Sequence, residues 1–204
     1  MFFKQLEGGF DRNFAYIIAD EKTKESAIVD PFSEAEKLLE VIQKEKLKVL
    51  FILNTHSHLD HIEGNAVIVE KTKAKILSFK NNQIINIGKL KIKAIFTPGH
   101  SPDHFCFLVE NKLLTGDLLF VGKIGGTGPY FPGSSSEEQF RSLAKIMEMP
   151  EDTEVWPGHN YGLKKNSTIG YEKKTNPFLL SKNFQKFQNL KEDWEEYKKK
   201  HNLK

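Results

Sequence analysis

Short apolar runs separated by charged stretches set the rhythm of the first half of the chain. MFFKQL and NFAYIIAD have the aromatic and β-branched content of strands, and ESAIVDP is a third apolar run closed by Asp30-Pro31. Ser33 with Glu36 three residues on has the form of a capping box. Leu38, Leu39, Val41 and Ile42 follow at helical spacing, so a helix is predicted to open at Ser33. LKVLFILN reads as a buried strand that ends at Asn54, and residues 63–72 read as a helix. KILSF, QIINI and KLKIKAIF follow as strands, with Leu90, Ile92, Ala94 and Phe96 alternating with polar positions. FCFLVENKLLTGD predicts a hairpin turning at Glu110-Asn111-Lys112.

The second half is less regular. GKIGGTGPYFPGSSS holds five Gly and two Pro, which predicts a long irregular loop of the kind that carries function. Ser134 and Glu137 suggest a second capping box before the helix EEQFRSLAKIM. TEVWP reads as a last strand and residues 182–200 as one C-terminal helix.

Composition narrows the class. A chain of 204 residues with 39% hydrophobic and 28% charged residues is an ordinary globular protein, large enough for one sizeable core. The 16 Phe point to a well-filled interior. The net charge of +3 comes with no concentrated basic patch, which argues against a nucleic-acid partner. The C-terminal run KEDWEEYKKK mixes signs and reads as a solvated helix face. Cys106 is the sole cysteine, so no intramolecular disulfide forms, and its apolar strand points to core packing. No signal-type h-region and no bilayer-length apolar run are present, so the expectation is a cytoplasmic protein without a membrane partner.

One segment breaks the ordinary pattern. Thr55-His56-Ser57-His58-Leu59-Asp60-His61 packs three imidazoles and a carboxylate directly after a strand. Nitrogen and carboxylate oxygen donors suit zinc, iron and similar divalent ions. Side chains two apart in extended chain point the same way, so His56 and His58 can reach one ion. Asp60 and His61 lie where the chain turns and can reach a second. The bland alternative is a histidine-rich polar loop, but desolvating so many titratable groups is costly without a metal. His100 in TPGH, Asp117 in TGD and His159 in WPGH each sit beside Gly just past an apolar run. Each taken alone is as readily a turn residue. Taken with the cluster, they predict a two-metal site.

The ordered set THSHLDH, TPGHS, TGD and PGH resembles the metallo-β-lactamase superfamily over residues 1–161. That resemblance implies an α/β (α+β) fold, a four-layer αββα sandwich with metals at one edge between two sheets. It implies that His56, His58 and His100 bind one ion, that Asp60, His61 and His159 bind the other, and that Asp117 bridges them. The expected division is a catalytic domain over residues 1–165, with residues 166–204 as a short helical extension packed on it. GDLLFVGKIGG, VWPGHNYG and STIGYEKKTNPF are similar to the glyoxalase II and persulfide dioxygenase branch, which extends the resemblance to about residue 178. Tyr161 matches a glyoxalase II tyrosine that contacts the glutathione portion of substrate. Lys123, Asn160 and Asn176 are further candidate substrate contacts from these runs, with solvated lysine and a loop that caps the fold as the plain alternatives. His104, in GHSPDH, resembles a residue that supports the ligands from behind, and a buried hydrogen-bonded His is the alternative.

Two departures bear on substrate. Family loops read C-G-K or C-G-R where this chain has Ile124, Gly125 and Gly126, so the expected cation is missing. The tail is also shorter than the helical C-terminal domain of many glyoxalase II enzymes. The expected chemistry is attack on a thioester by a metal-bridging hydroxide, with Asp60 and Asp117 as the catalytic carboxylates. The expected cofactors are two divalent ions, zinc first, with iron or manganese as alternatives. The expected substrate is a small thioester, a glutathione conjugate among the candidates, and the expected state is a monomer or homodimer. The rival is a mononuclear iron persulfide dioxygenase, in which the residues matching His56, His100 and Asp117 hold the iron. The ligand types alone do not separate these two chemistries.

Overall fold

In the computed structural model, which describes residues 1–201, the first apolar runs form strands β1 (Phe2–Gly8), β2 (Asn13–Ala19) and β3 (Glu25–Val29). Helix α1 (Glu36–Glu45) leads to β4 (Lys48–Leu53), then α2 (Leu59–Ile62), α3 (Asn65–Thr72) and β5 (Lys75–Ile76). These five strands make one sheet in the order β1-β2-β3-β4-β5, with β3, β4 and β5 parallel. Strands β6 (Ile84–Ile87), β7 (Leu90–Phe96), β8 (Phe105–Val109) and β9 (Lys112–Gly116) run antiparallel in succession. A hairpin follows, β10 (Leu119–Phe120) and β11 (Lys123–Ile124), then α4 (Ser136–Met147) and β12 (Glu154–Pro157). The chain closes with β13 (Ser167–Thr168) and helices α5 (Ile169–Thr175), α6 (Phe184–Glu192) and α7 (Trp194–Lys200). The second sheet has the order β13-β12-β9-β8-β7-β6, and β12 lies parallel to β9.

The layers follow from which residues each strand turns each way. Ile17, Ile28 and Ile52 pack with Leu38 and Ile42 of α1 and Ile68 of α3 on the outer face of the first sheet. Tyr16, Ile18, Val29 and Leu53 point inward and meet Ile92, Ala94, Phe107 and Leu114 of the second sheet. The far face of that sheet, with Cys106, Leu113 and Val155, is covered by Leu143 and Ile146 of α4 and by Phe178, Phe187 and Trp194. The result is an αββα sandwich. Strands β2 and β3 are covered on both faces, which is why they read as unbroken apolar runs rather than alternating ones.

Several boundaries differ from expectation, each for a local reason. Helix α1 starts at Glu36 with Ala35 at its N-cap and no side-chain cap, not at Ser33. Phe32 is drawn into the core and Glu34 accepts the Gly9 amide at 3.0 Å, which holds residues 32–34 out of the helix. The predicted helix over 63–72 is α3, which starts at Asn65, and the short α2 precedes it unpredicted. The break falls at Gly64, whose amide bonds the Pro31 carbonyl at 2.9 Å. The second capping residue is Ser135, which accepts from the Glu138 amide, while Ser134 is engaged by the Gly128 amide at 2.9 Å. The glycine-rich run is not wholly irregular, since Lys123 and Ile124 pair with β10 through a turn at Gly122. The C-terminal helix is two helices that meet at Asp193, where the Trp194 ring turns onto Phe178 at 4.6 Å. Among the described residues no helix is long and apolar enough to cross a membrane.

Candidate metal centre

Strands β7, β9 and β12 run the same way in the second sheet, so their carboxyl ends share one edge. His100, Asp117 and His159 each lie just past one of those ends, and His56 lies just past β4 in the facing sheet. His58 is still extended (φ −63°, ψ 144°) at the N-cap of α2, and Asp60 and His61 occupy that short helix. The chain turn inside THSHLDH therefore splits the segment, sending His56 and His58 to one side and Asp60 and His61 to the other.

The side chains converge in two sets. His56 Nε2 and His100 Nε2 lie 2.9 and 3.0 Å from His58 Nδ1. His61 Nε2 lies 3.2 Å from His159 Nε2, and Asp60 Oδ2 is 3.5 Å from the first and 3.3 Å from the second. Asp117 stands between them, its Oδ1 3.3 Å from His61 Nε2 and its Oδ2 3.3 Å from His159 Nε2 and 3.6 Å from His100 Nε2. All seven predicted ligands are thus brought to one place. Gly158 makes room for the carboxylate, because a Cβ there would lie 2.3 Å from Asp117 Oδ1.

The outer nitrogens of four rings fix their tautomers. His100 Nδ1 donates to the Gly126 carbonyl at 2.7 Å and His159 Nδ1 to the Asp11 carbonyl at 2.8 Å. His61 Nδ1 donates to Asp30 Oδ2 at 3.0 Å. Thr55 gives its hydroxyl hydrogen to Asp30 at 2.7 Å, so at 3.0 Å it accepts from His56 Nδ1. A neutral imidazole carries one N–H, so in each ring Nε2 is left with a lone pair. Lone pairs converging at these distances repel unless a cation lies between them. Asp117 Oδ1 is buried and accepts no hydrogen bond. The donor set therefore fits divalent metal ions of the zinc or iron kind, and the outer contacts are those that orient metal-bound histidine.

Without a cation the electrostatics divide the rings. Burial pushes His56 well below the ordinary imidazole value. Burial works to raise the Asp117 carboxyl, but His159 and His61 outweigh it and hold it well below the usual carboxylate range. Burial opposes charge on His159 as well, yet Asp117 and Asp60 lift it to about 10. The carboxylates thus recruit protons onto facing rings, and a metal ion that binds there displaces them.

Residues absent from the sequence expectation complete the support. Asp30 bonds three groups, Asn13 Nδ2 donates to Asp60 Oδ2 at 2.8 Å, and the Asp11 carbonyl holds His159. Asp30 closes an apolar strand and reads as a turn signal before Pro31. Only its left-handed backbone (φ 48°) marks it as unusual, and that is not visible in sequence. His104 is fully buried, its ring 5.3 Å from His56, with Nδ1 bonded to Thr97 at 2.9 Å and Nε2 without a partner. Burial holds it down to about 3, so it is a neutral wall behind the ligands. Burial also pushes the Cys106 thiol up to about 12, which suits a core residue rather than a nucleophile.

An open cavity of about 460 Å³ leads to the ligands and is walled by Phe120, Phe131, Tyr130, Leu59 and Tyr161. Among the described residues no lysine or arginine lines it. Tyr161 stacks on His159 at 4.7 Å and its hydroxyl donates to the Asp11 carboxylate. Asn160 instead turns to the Glu7 carboxylate at 3.0 Å. Asn176 is fully buried and gives its amide to the Lys123 carbonyl at 3.1 Å and to Glu172 at 2.9 Å. Asn160, Asn176 and Lys123 therefore stand outside the cavity wall, and Tyr161 alone of the four candidate contacts lies in it.

The fold and this two-triad site define a metallo-β-lactamase-type scaffold. A family model described as the metallo-beta-lactamase superfamily matches residues 8–83 and 83–159, and the chain belongs to that superfamily. It is 30% identical to the probable hydroxyacylglutathione hydrolase glo2 of Schizosaccharomyces pombe, over 84% of this chain and 84% of that protein. It is 32% identical to the hydroxyacylglutathione hydrolase of Pelagibacter ubique, over 76% of this chain and 69% of that protein. Among solved structures, ETHE1 from Myxococcus xanthus superposes with a TM-score of 0.89 at 27% identity, covering 95% of this chain and 91% of that one.

Proposed function

We propose that the chain is a metal-dependent hydrolase of the hydroxyacylglutathione hydrolase type, cleaving a small thioester. The observation that carries this reading is the pair of triads joined by Asp117, opening onto a cavity that holds a molecule of that size. The names of the two curated relatives support it. His56, His58 and His100 would hold one ion and Asp60, His61 and His159 the other, with zinc the first candidate and iron or manganese alternatives. Two such ions, when bound, acidify a shared water and polarise a carbonyl oxygen.

The chain's own residues supply the remainder. Asp117, buried and hydrogen-bonded by no donor at Oδ1, reaches toward both triads and ties them together. Asp60 lines the cavity and orients the attacking water, and the Asn13 amide holds its carboxylate in place. Phe120 and Phe131 keep bulk water from the acyl group, and Tyr161 positions the thiol portion. Residues 1–165 would form the catalytic domain and 166–204 an extension packed on it, in a monomer or homodimer. Turnover of S-lactoylglutathione by the metal-replete protein tests this reading.

The second reading is a mononuclear iron persulfide dioxygenase with His56, His100 and Asp117 as ligands. The likeness to ETHE1 from Myxococcus xanthus supports it. The full second triad, each outer nitrogen already oriented, favours the two-ion hydrolase.

A further inference from the structure

A second cleft, of about 430 Å³, lies between the glycine-rich loop and the C-terminal helices. Its wall includes Gly125 to Pro129 on one side and Phe178, Lys191 and Trp194 on the other. It shares Gly126 with the metal-site cavity but none of the metal ligands. Phe178 and Trp194 stand 4.6 Å apart and give the cleft an aromatic side.

Lys191 is the unusual residue here. Its amine donates to Gln139 Oε1 and lies 5.5 Å from the Phe187 ring centroid, and no carboxylate pairs with it among the described residues. Gln139 is fully buried and passes its own amide to the Gly125 carbonyl at 2.9 Å. An ammonium offers three donors, so one neutral acceptor leaves it underused. Glu192 is the other charged residue of the wall, and it accepts from Gln188 at 3.2 Å rather than from Lys191. Neither α4 nor the glycine-rich loop brings a charged group to this wall.

We propose that this cleft binds a small monocarboxylate with an apolar or aromatic body, its carboxylate on Lys191 and its body against Phe178 and Trp194. One cation matches one anion, and the volume is that of a small-ligand pocket. Burial alone pushes the Lys191 amine down to about 7, so at neutral pH it is only partly charged. An anion beside it favours the charged form, so binding takes up protons. With the free amine near 7, that uptake approaches about half a proton per ligand at pH 7.

Phenylacetate is the probe, titrated calorimetrically into the metal-replete full chain at pH 7 in two buffers of different ionisation heat. Phenylethanol, with the same body and no charge, is the control. The expected result is saturable one-to-one phenylacetate binding with proton uptake, and alcohol binding weaker by about tenfold to a hundredfold. Lys191→Met should lower phenylacetate affinity by the same factor and abolish the uptake, while metal content and thioester turnover stay unchanged. Gln188→Trp, which adds bulk to the cleft wall and keeps the amine, should block binding as well. Absence of binding to the wild type overturns the proposal. So does undiminished binding to Lys191→Met, with competitive inhibition of hydrolysis, since the carboxylate would then sit on the metals.

Discussion

Asp30 Oδ2 lies 3.0 Å from His61 Nδ1 and so leaves Nε2 as the nitrogen turned to the metal site. The same carboxylate takes the Thr55 hydroxyl and amide, both at 2.7 Å, and Thr55 in turn orients His56. One side chain thus sets a ring in each triad.

Asp30→Asn should therefore weaken metal binding without unfolding the chain. Asparagine tolerates the left-handed backbone at this position, so the substitution tests charge and hydrogen bonding rather than strain. Loss of an outer partner of a metal-bound histidine costs on the order of 10- to 100-fold in metal affinity. Chelator competition on the folded variant measures it, and unchanged affinity would show that Asp30 does not orient the ligands.

Asp117→Ala should empty both triads of their shared ligand. Elemental analysis should give two ions per chain for the wild type under metal-replete conditions and fewer for the variant, with turnover abolished. A variant that keeps its metal and its turnover would show that Asp117 does not bridge.

The missing cation at Gly126 has a structural counterpart. A Cβ at 126 would lie 2.3 Å from the Phe131 ring, so aromatic bulk occupies the space a longer side chain needs. Gly126→Lys alone should cost about 1–3 kcal/mol by overpacking and should not lower KM for a glutathione thioester. Gly126→Lys with Phe131→Ala should lower that KM by about tenfold, the value of one restored charge-assisted hydrogen bond. Thermal unfolding and steady-state kinetics on the pair decide it.

The seven candidate ligand residues stood out because each places a donor side chain beside a turn just past an apolar run, and the fold brings all seven together. Most individual strands and helices were legible from strand-type runs and amphipathic spacing, whereas their stacking as a sandwich came from the resemblance of the ordered motifs to a known superfamily. What escaped was whatever depends on contacts between distant segments. Asp30, Asn13 and Asp11 look like turn residues until the fold sets them against His61, Asp60 and His159. The break at Asp193 was hidden because KEDWEEYKKK has helical propensity throughout, and only the docking of Trp194 on Phe178 turns the chain. Asn160 and Asn176 sit in suggestive motifs, yet Glu7 and Glu172 claim their amides.

Lys191 gives a pH-dependent stability difference with a definite sign. Its folded value, about 7, lies below its ordinary value of 10.5, so the unfolded chain binds the proton more tightly between those limits. Below pH 7 the folded state carries the full penalty of a buried charge. The penalty shrinks as pH rises toward 10.5 and vanishes above it. Lys191→Met removes the penalty, so its stability relative to wild type should be greatest near pH 6 and fall by pH 10. Denaturant midpoints at the two pH values test this, and a pH-independent difference would contradict the buried-amine assignment.

Hydrolysis of a thioester at a two-ion site is tested directly by one paired assay. A single preparation, reconstituted separately with zinc and with iron, is given S-lactoylglutathione and, in parallel, glutathione persulfide with an oxygen electrode. Thioester cleavage with metal at two ions per chain, and no persulfide-dependent oxygen uptake, is the predicted result. Oxygen uptake with iron at one ion per chain, and no thioester cleavage with either metal, would contradict it.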